Sequence, residues 1–272
     1  MASSPWVFIC PSSRGIGFAL TRRLLLTTSL PILATTRSSS LGSAKSALLQ
    51  GLGDASTPGL AQRLNLVRCD VADESSIRAA SQTAAHLFPP QTHHLQLGCA
   101  IPGVLHVQKS PSQIDAAAAL DSFRINALGP LLLAKHFFPL LPRRAAAHPH
   151  ASALDALPAQ AVWLTMAARV GSTSDNRAGG WYSYRASKAA VISLARSLDI
   201  HLQARSPDSA MAVAYHPGTV KTDLSRDFWN SVPDHQLFTP EYAAERMTQV
   251  IASLQDNQRG RCWDWKGDEV PP

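Results

Sequence analysis

The chain of 272 residues is 45% hydrophobic and 16% charged, which supplies the apolar material for a buried core and excludes a disordered polymer. Its formal charge of +6 comes from 25 basic against 19 acidic residues. The basic residues are scattered and mostly arginine, without the like-charge runs of a nucleic-acid arm, so they read as a solvated surface with a bias toward anionic ligands. No apolar run approaches the roughly 18 residues of a bilayer span, and the run Trp6-Val7-Phe8-Ile9-Cys10 begins too early to leave room for a secretory leader. The expectation is a soluble, cytoplasmic protein with no membrane or nucleic-acid partner. Cys10, Cys69, Cys99 and Cys262 lie far apart without a CxxC, and His93-His94 and His148/His150 lack partners at metal spacing. Neither a metal site nor a disulfide framework is expected.

Short apolar runs alternate with longer helical patterns, the signature of βαβ units and a parallel sheet. In chain order the pattern predicts a strand at 6–10, a helix at 15–28, a strand at 31–36, a helix at 43–51, a strand at 64–69 and a helix at 74–88. A strand at 95–100, one long helix at 113–141, a strand at 160–165, a helix at 181–204, a strand at 210–215, a helix at 240–255 and a closing strand at 261–265 follow. The class is α/β, with a mostly parallel seven-stranded sheet flanked by helices. The Ala/Pro/His-rich stretch 142–159 predicts a mobile surface connection. Residues 223–239, with Phe228, Trp229 and Pro233, mix aromatics with turn formers after the sixth strand and read as a lid, because ligands of open α/β sheets bind beyond the carboxyl ends of strands.

Two motifs carry chemistry. After the first strand comes Pro11-Ser12-Ser13-Arg14-Gly15-Ile16-Gly17 and then a helix. Gly15 and Gly17 either serve an ordinary turn or let a pyrophosphate approach the helix N-terminus, where unpaired N–H groups and the dipole favour anions. The second strand ends at Arg37, where a site for a bare ribose would carry an acidic residue; Arg37 and Arg14 together suit a 2′-phosphate, or else are two of many surface arginines. Tyr184-Arg185-Ala186-Ser187-Lys188 places a phenol and an ammonium one turn apart on one helix face. A phenol with a pKa near 10 is a poor acid–base group at neutral pH, and a neighbouring ammonium is expected to lower it.

These residues resemble the short-chain dehydrogenase/reductase family over essentially the whole chain. SSRGIG is similar to the family's TGxxxGxG fingerprint, with Pro11 where the first glycine belongs, and YSYRASKAA is similar to its YxxxK segment. The resemblance implies one doubly wound Rossmann domain across 1–272. NADP(H) would lie on Ser13, Arg14, Gly15, Ile16, Gly17 and Arg37, on the Asp70-Val71 pair, on Gly103 (the one match to the family's NNAG), on Tyr184 and Lys188, and on Pro217, Gly218, Val220 and Thr222 of a PGxxxT element. Asp70 alternatively caps the next helix. Asn126 matches the family's helix asparagine, which bends that helix and anchors a water leading protons to the lysine; alternatively it is a buried asparagine satisfied within the helix. The family's catalytic serine falls on Ala168, or on Ala167 by a one-residue shift, and neither hydrogen-bonds. Ser172 or Ser174 in the following loop either substitutes or is an ordinary loop serine, and Ser172 completes the expected catalytic set with Tyr184, Lys188 and Asn126.

The implied activity is NADPH-dependent reduction of a carbonyl, or oxidation of an alcohol, on a small substrate, with Trp181, Phe228 and Trp229 pointing to an apolar or aromatic one. Pro11 and Ala167-Ala168 keep open an NADP-binding protein with little redox activity, and an isomerase or cyclase on the same fold is a third reading. A homodimer or homotetramer through paired long helices is left open by the resemblance.

Overall fold

The computed structural model describes residues 3–53, 59–143 and 157–272. Most of 142–159, with His148 and His150, lies outside the described residues. Strand β1 (Ser4–Cys10) leads into helix α1 (Gly15–Thr27), followed by β2 (Ile32–Thr36), α2 (Leu41–Leu49), a single turn α3 (Leu60–Arg63), β3 (Leu64–Arg68), α4 (Glu74–Leu87) and β4 (His93–Ala100). Then come α5 (Ala116–Phe123), a π-helical turn at Arg124–Leu128, α6 (Gly129–Phe137), β5 (Ala161–Met166) and α7 (Tyr182–Arg205). The chain closes with β6 (Ala210–His216), β7 (Thr219–Val220), a 3₁₀ segment at Asp223–Ser231, β8 (Leu237–Phe238), α8 (Pro240–Ser253), β9 (Cys262–Asp264) and β10 (Glu269–Val270).

The main sheet runs β10-β9-β6-β5-β4-β1-β2-β3, parallel throughout except for β10, which pairs antiparallel with β9. It has eight strands where seven were expected, because Asp264–Gly267 turns the chain back: Asp264 Oδ1 accepts from the Lys266 and Asp268 amides at 2.9 and 3.0 Å. β7 and β8 form a separate parallel pair. The strand order reverses between β1 and β4, and such a switch point opens a crevice at the carboxyl edge.

The apolar run Trp6–Cys10 of β1 is explained by burial on both faces. Val7 and Ile9 pack with Leu20 and Leu24 of α1 and Met247 and Ile251 of α8. Trp6 and Phe8 point the other way, stacking on Phe88 and Phe137 with ring centroids 4.6 and 3.9 Å apart. The helix expected over 113–141 is split. At the π turn the side chain of Asn126 leaves the helix to bond with a neighbouring loop, and such insertions are a recognised cause of a widened turn. All four cysteines are free and buried. No described helix is long and apolar enough to cross a membrane.

Candidate active site

At the carboxyl edge of the sheet a cavity of about 860 Å³ runs from the turn after β1 to the 3₁₀ segment after β7. Its floor is the glycine turn. A Cβ on Gly17 would overlap the carbonyl oxygen of Pro11, so only glycine lets α1 begin this close to the strand end. Ser12, which the sequence reading left without a role, fixes the turn: its hydroxyl donates to Ile9 O at 2.9 Å and its amide to Thr35 O at 2.9 Å. Helix α1 has no side-chain cap and no acidic residue in its first turn, so its first N–H groups remain available beside the cavity-lining Gly15, Ile16 and Gly17. Arg14 lines the cavity. Arg37 is exposed just past β2, and among the described residues neither guanidinium is paired.

Gly103, Pro217, Gly218, Val220 and Thr222 line the cavity too. Gly15 and Thr222 face one another, a Cβ on the glycine coming within 3.2 Å of the threonine methyl. Ser13, Arg37, Asp70 and Val71 do not line it; they continue the same edge past β1, β2 and β3. Asp70 Oδ1 accepts from the Ala72 amide at 3.0 Å. The cap of α4 is Asp73, which accepts from the Ser75 amide at 2.9 Å, so the reading of Asp70 as the helix cap does not hold. Val71 packs against Gly129.

Helix α7 delivers Tyr184 and Lys188 to the cavity on one face, held close by Gly171, where a Cβ would come within 2.7 Å of the Lys188 carbonyl carbon. Both are buried. Lys188 Nζ lies 5.9 Å from the centroid of the Tyr184 ring and donates to Met166 O at 2.7 Å. Burial, which penalises each charged form, pushes the Tyr184 phenol up to about 12 and the Lys188 ammonium down to about 7. The expectation that the ammonium lowers the phenol is therefore reversed: desolvation governs both groups.

Asn126 sits at the centre of the π turn, fully buried. Its Oδ1 accepts from Val104 N at 2.8 Å, and its Nδ2 donates to Val104 O at 2.9 Å and to Ser187 Oγ at 3.0 Å. The amide nitrogen is thereby committed to the loop after β4 and to α7. Ser187, unassigned by the sequence reading, closes the link by donating to Tyr184 O at 2.8 Å.

Ser172 is not brought into the set. It does not line the cavity; its hydroxyl accepts from Asp175 N at 3.0 Å and donates to Pro272 O at 3.4 Å. Ser174 is likewise tied to Pro272 O. The assignment of Ser172 as catalytic is corrected on this geometry, while Ala167 and Ala168 line the wall where the serine was sought. Phe228 closes the far side, its ring 4.9 Å from Trp181, which in turn lies edge-on to Tyr184 at 6.2 Å. Trp229 turns away from the cavity and donates to Ser225 Oγ at 2.9 Å. His216, beside the PGxxxT element, is pushed down to about 4 by burial and by the Arg169 charge and is neutral at physiological pH.

No family model matches the chain. It is 34% identical to the C-signal of Myxococcus xanthus over 161 residues, 58% of this chain and 81% of that protein. It is 33% identical over 170 residues to 1-hydroxy-2-glutathionyl-2-methyl-3-butene dehydrogenase of Rhodococcus sp. strain AD45, covering 60% of this chain and 65% of that one. The NADPH-bound carbonyl reductase from chicken fatty liver shares the fold, with a TM-score of 0.77 at 24% identity over 99% of this chain and 100% of that one. Identity shared along most of the C-signal, on this fold and with the tyrosine–lysine face of α7 turned into the cavity, makes the chain a member of the short-chain dehydrogenase/reductase family.

Proposed function

We propose that the chain is an NADP(H)-dependent oxidoreductase that reduces a carbonyl, or oxidises the corresponding alcohol, on a small apolar or aromatic substrate. The observation that carries this reading is the continuity of one cavity from the uncapped N-terminus of α1 to Tyr184 and Lys188. The residues fit the cofactor: Gly17 leaves no room for a side chain at the turn, and two unpaired guanidiniums stand beyond β1 and β2. Arg14, Gly15, Ile16 and Gly17 would hold the pyrophosphate, with Ser13 beside them; Arg14 and Arg37 would hold the 2′-phosphate, and Asp70 and Val71 the adenine. Gly103, Pro217, Gly218, Val220 and Thr222 would flank the nicotinamide. When bound, that ring supplies the hydride.

The chain's own residues do the rest. A phenol held near 12 stays protonated at neutral pH, which suits Tyr184 to donate its proton to the substrate oxygen as negative charge develops there. Lys188 would hold the ribose. Asn126 and Ser187 are positioning residues: they lock Val104 and the backbone at Tyr184 and thereby set the wall opposite the phenol. Residues 223–239 serve as a lid, with Phe228 and Trp181 excluding water and stacking on an apolar or aromatic substrate. All of this lies in one domain spanning 1–272.

Cofactor choice tests the phosphate assignment. Charge-assisted hydrogen bonds contribute about 1.5–3 kcal/mol each, so NADPH is expected to bind at least about tenfold tighter than NADH in a fluorescence titration. The double variant Arg14→Ala/Arg37→Ala should erase the difference. Equal affinity in the parent would remove NADP(H) from the account. A second reading, NADP binding with little turnover, is favoured by one observation: Ala168 offers the substrate oxygen no hydroxyl.

A further inference from the structure

Beside Tyr184 the cavity is lined by the apolar side chains of Leu105, Val170, Trp181, Phe228 and Val232, with Trp181 and Phe228 in ring contact. The polar residues lining the cavity include Ser231, whose hydroxyl donates to Phe228 O at 2.8 Å, and His106. Neither the sequence pattern nor the mechanism above uses His106. Its Nε2 lies 2.8 Å from Oδ2 of Asp121 on α5. A carboxylate only accepts, so Nε2 carries the proton of this bond, and Nδ1 of that tautomer is left to accept from a ligand. Among the described residues nothing bonds to Nδ1.

The ring is also placed from both sides along the chain. Two residues before it, Val104 is clamped through N and O by Asn126. Two residues after it, the Gln108 side-chain oxygen accepts from the Ser183 amide at 2.9 Å and from its hydroxyl at 3.1 Å, and Gln108 O accepts from Trp181 N at 2.6 Å. Ser183 and Trp181 flank the start of α7 and the approach to Tyr184. A half-buried imidazole anchored in this way costs little further ordering when a ligand arrives.

We propose that His106 reads the substrate: Nδ1 accepts a hydrogen bond from a hydroxyl on an otherwise apolar or aromatic carbonyl compound, and Asp121 is the positioning residue that sets its tautomer and direction. The carbonyl in that description rests on the function proposed above; the hydroxyl contact does not. A bare hydrocarbon of the same shape leaves Nδ1 facing an apolar surface, and a carboxylate brings its negative charge against a lone pair backed by Asp121.

The test measures binding and turnover separately. Acetophenone and its 3-hydroxy, 4-hydroxy, 4-methoxy and 4-carboxy derivatives are titrated calorimetrically into the protein with NADP⁺ present, then assayed for reduction with NADPH. One hydroxy isomer should bind about tenfold tighter than acetophenone or the methyl ether, the size of one net hydrogen bond. His106→Phe and Asp121→Ala should both shrink that ratio to about twofold or less, and Asp121→Asn, whose amide oxygen still accepts from Nε2, should retain it. In turnover the preference should appear in KM rather than kcat. Equal binding throughout, no binding, or preference for the carboxylate (an imidazolium reading an anion) would each overturn the assignment. If the ketones are reduced without any hydroxyl preference, the proposed function stands and this inference falls. If the hydroxyl preference appears without reduction, the reverse holds.

Discussion

Tyr184→Phe should lower carbonyl reduction by about 10³-fold, within the 10²–10⁴ range of a lost general acid, while NADPH affinity stays within a few-fold. No described side chain bonds to the phenol oxygen, and the ring's packing against Trp181 survives the change. The substitution removes a proton donor and little else, so denaturant midpoints of parent and variant should agree closely. Loss of activity at constant stability and constant cofactor affinity is the pattern of a group that acts only as the substrate oxygen becomes charged. Near-normal turnover in the variant would assign the proton to another group.

Lys188→Met has the second large effect, and it divides function from stability. Activity should fall by about 100-fold or more and NADPH affinity by about tenfold, since the ammonium that orders the ribose is gone. The apo protein should nevertheless become more stable at pH 7. Lys188 titrates near 7 in the folded chain against an ordinary value of 10.5, because burial disfavours its charge. Below about pH 7 the folded state carries a buried ammonium and bears the whole desolvation cost. Between about 7 and 10.5 it has released a proton that the unfolded chain still holds, so parent stability rises with pH through that window, at up to about 1.4 kcal/mol per pH unit. Methionine has no such cost, and its advantage should be a few kcal/mol at pH 7, reduced by the unpaired Met166 carbonyl, and should vanish toward pH 10.5. A variant that is less stable at pH 7, with an unchanged pH dependence, would contradict the burial argument.

Much of this was legible in the residues. Trp6 to Cys10 reads as a strand buried on both faces because every position is apolar, and Tyr184 and Lys188 read as one helix face because four residues make about one turn. What escaped depends on contacts remote in sequence. The resemblance implied a bend at Asn126, but its bonds to Val104 and Ser187, which accompany the π turn, join residues far apart in sequence. Ser172 looked close enough to substitute for a missing hydroxyl, yet Pro272, a hundred residues on, occupies it. The phenol's acidity was misjudged for a similar reason: the neighbouring ammonium is visible in the pattern, whereas the burial that outweighs it is not. His106 and Asp121 are fifteen residues apart, a spacing without helical or strand meaning, and become a pair only when α5 packs beside the loop after β4. Strand β10 was within reach, since Lys266-Gly267-Asp268 is a turn signal between short apolar segments.

The chemistry proposed for this cavity is reduction of a carbonyl with NADPH. Its most direct test follows NADPH consumption and alcohol formation together across a panel of aliphatic and aromatic aldehydes and ketones with the parent protein. Several apolar or aromatic members should consume NADPH with one alcohol formed per cofactor oxidised. A protein that binds NADPH tightly and forms no alcohol from any member of the panel would contradict it and leave cofactor binding without turnover as the chain's role.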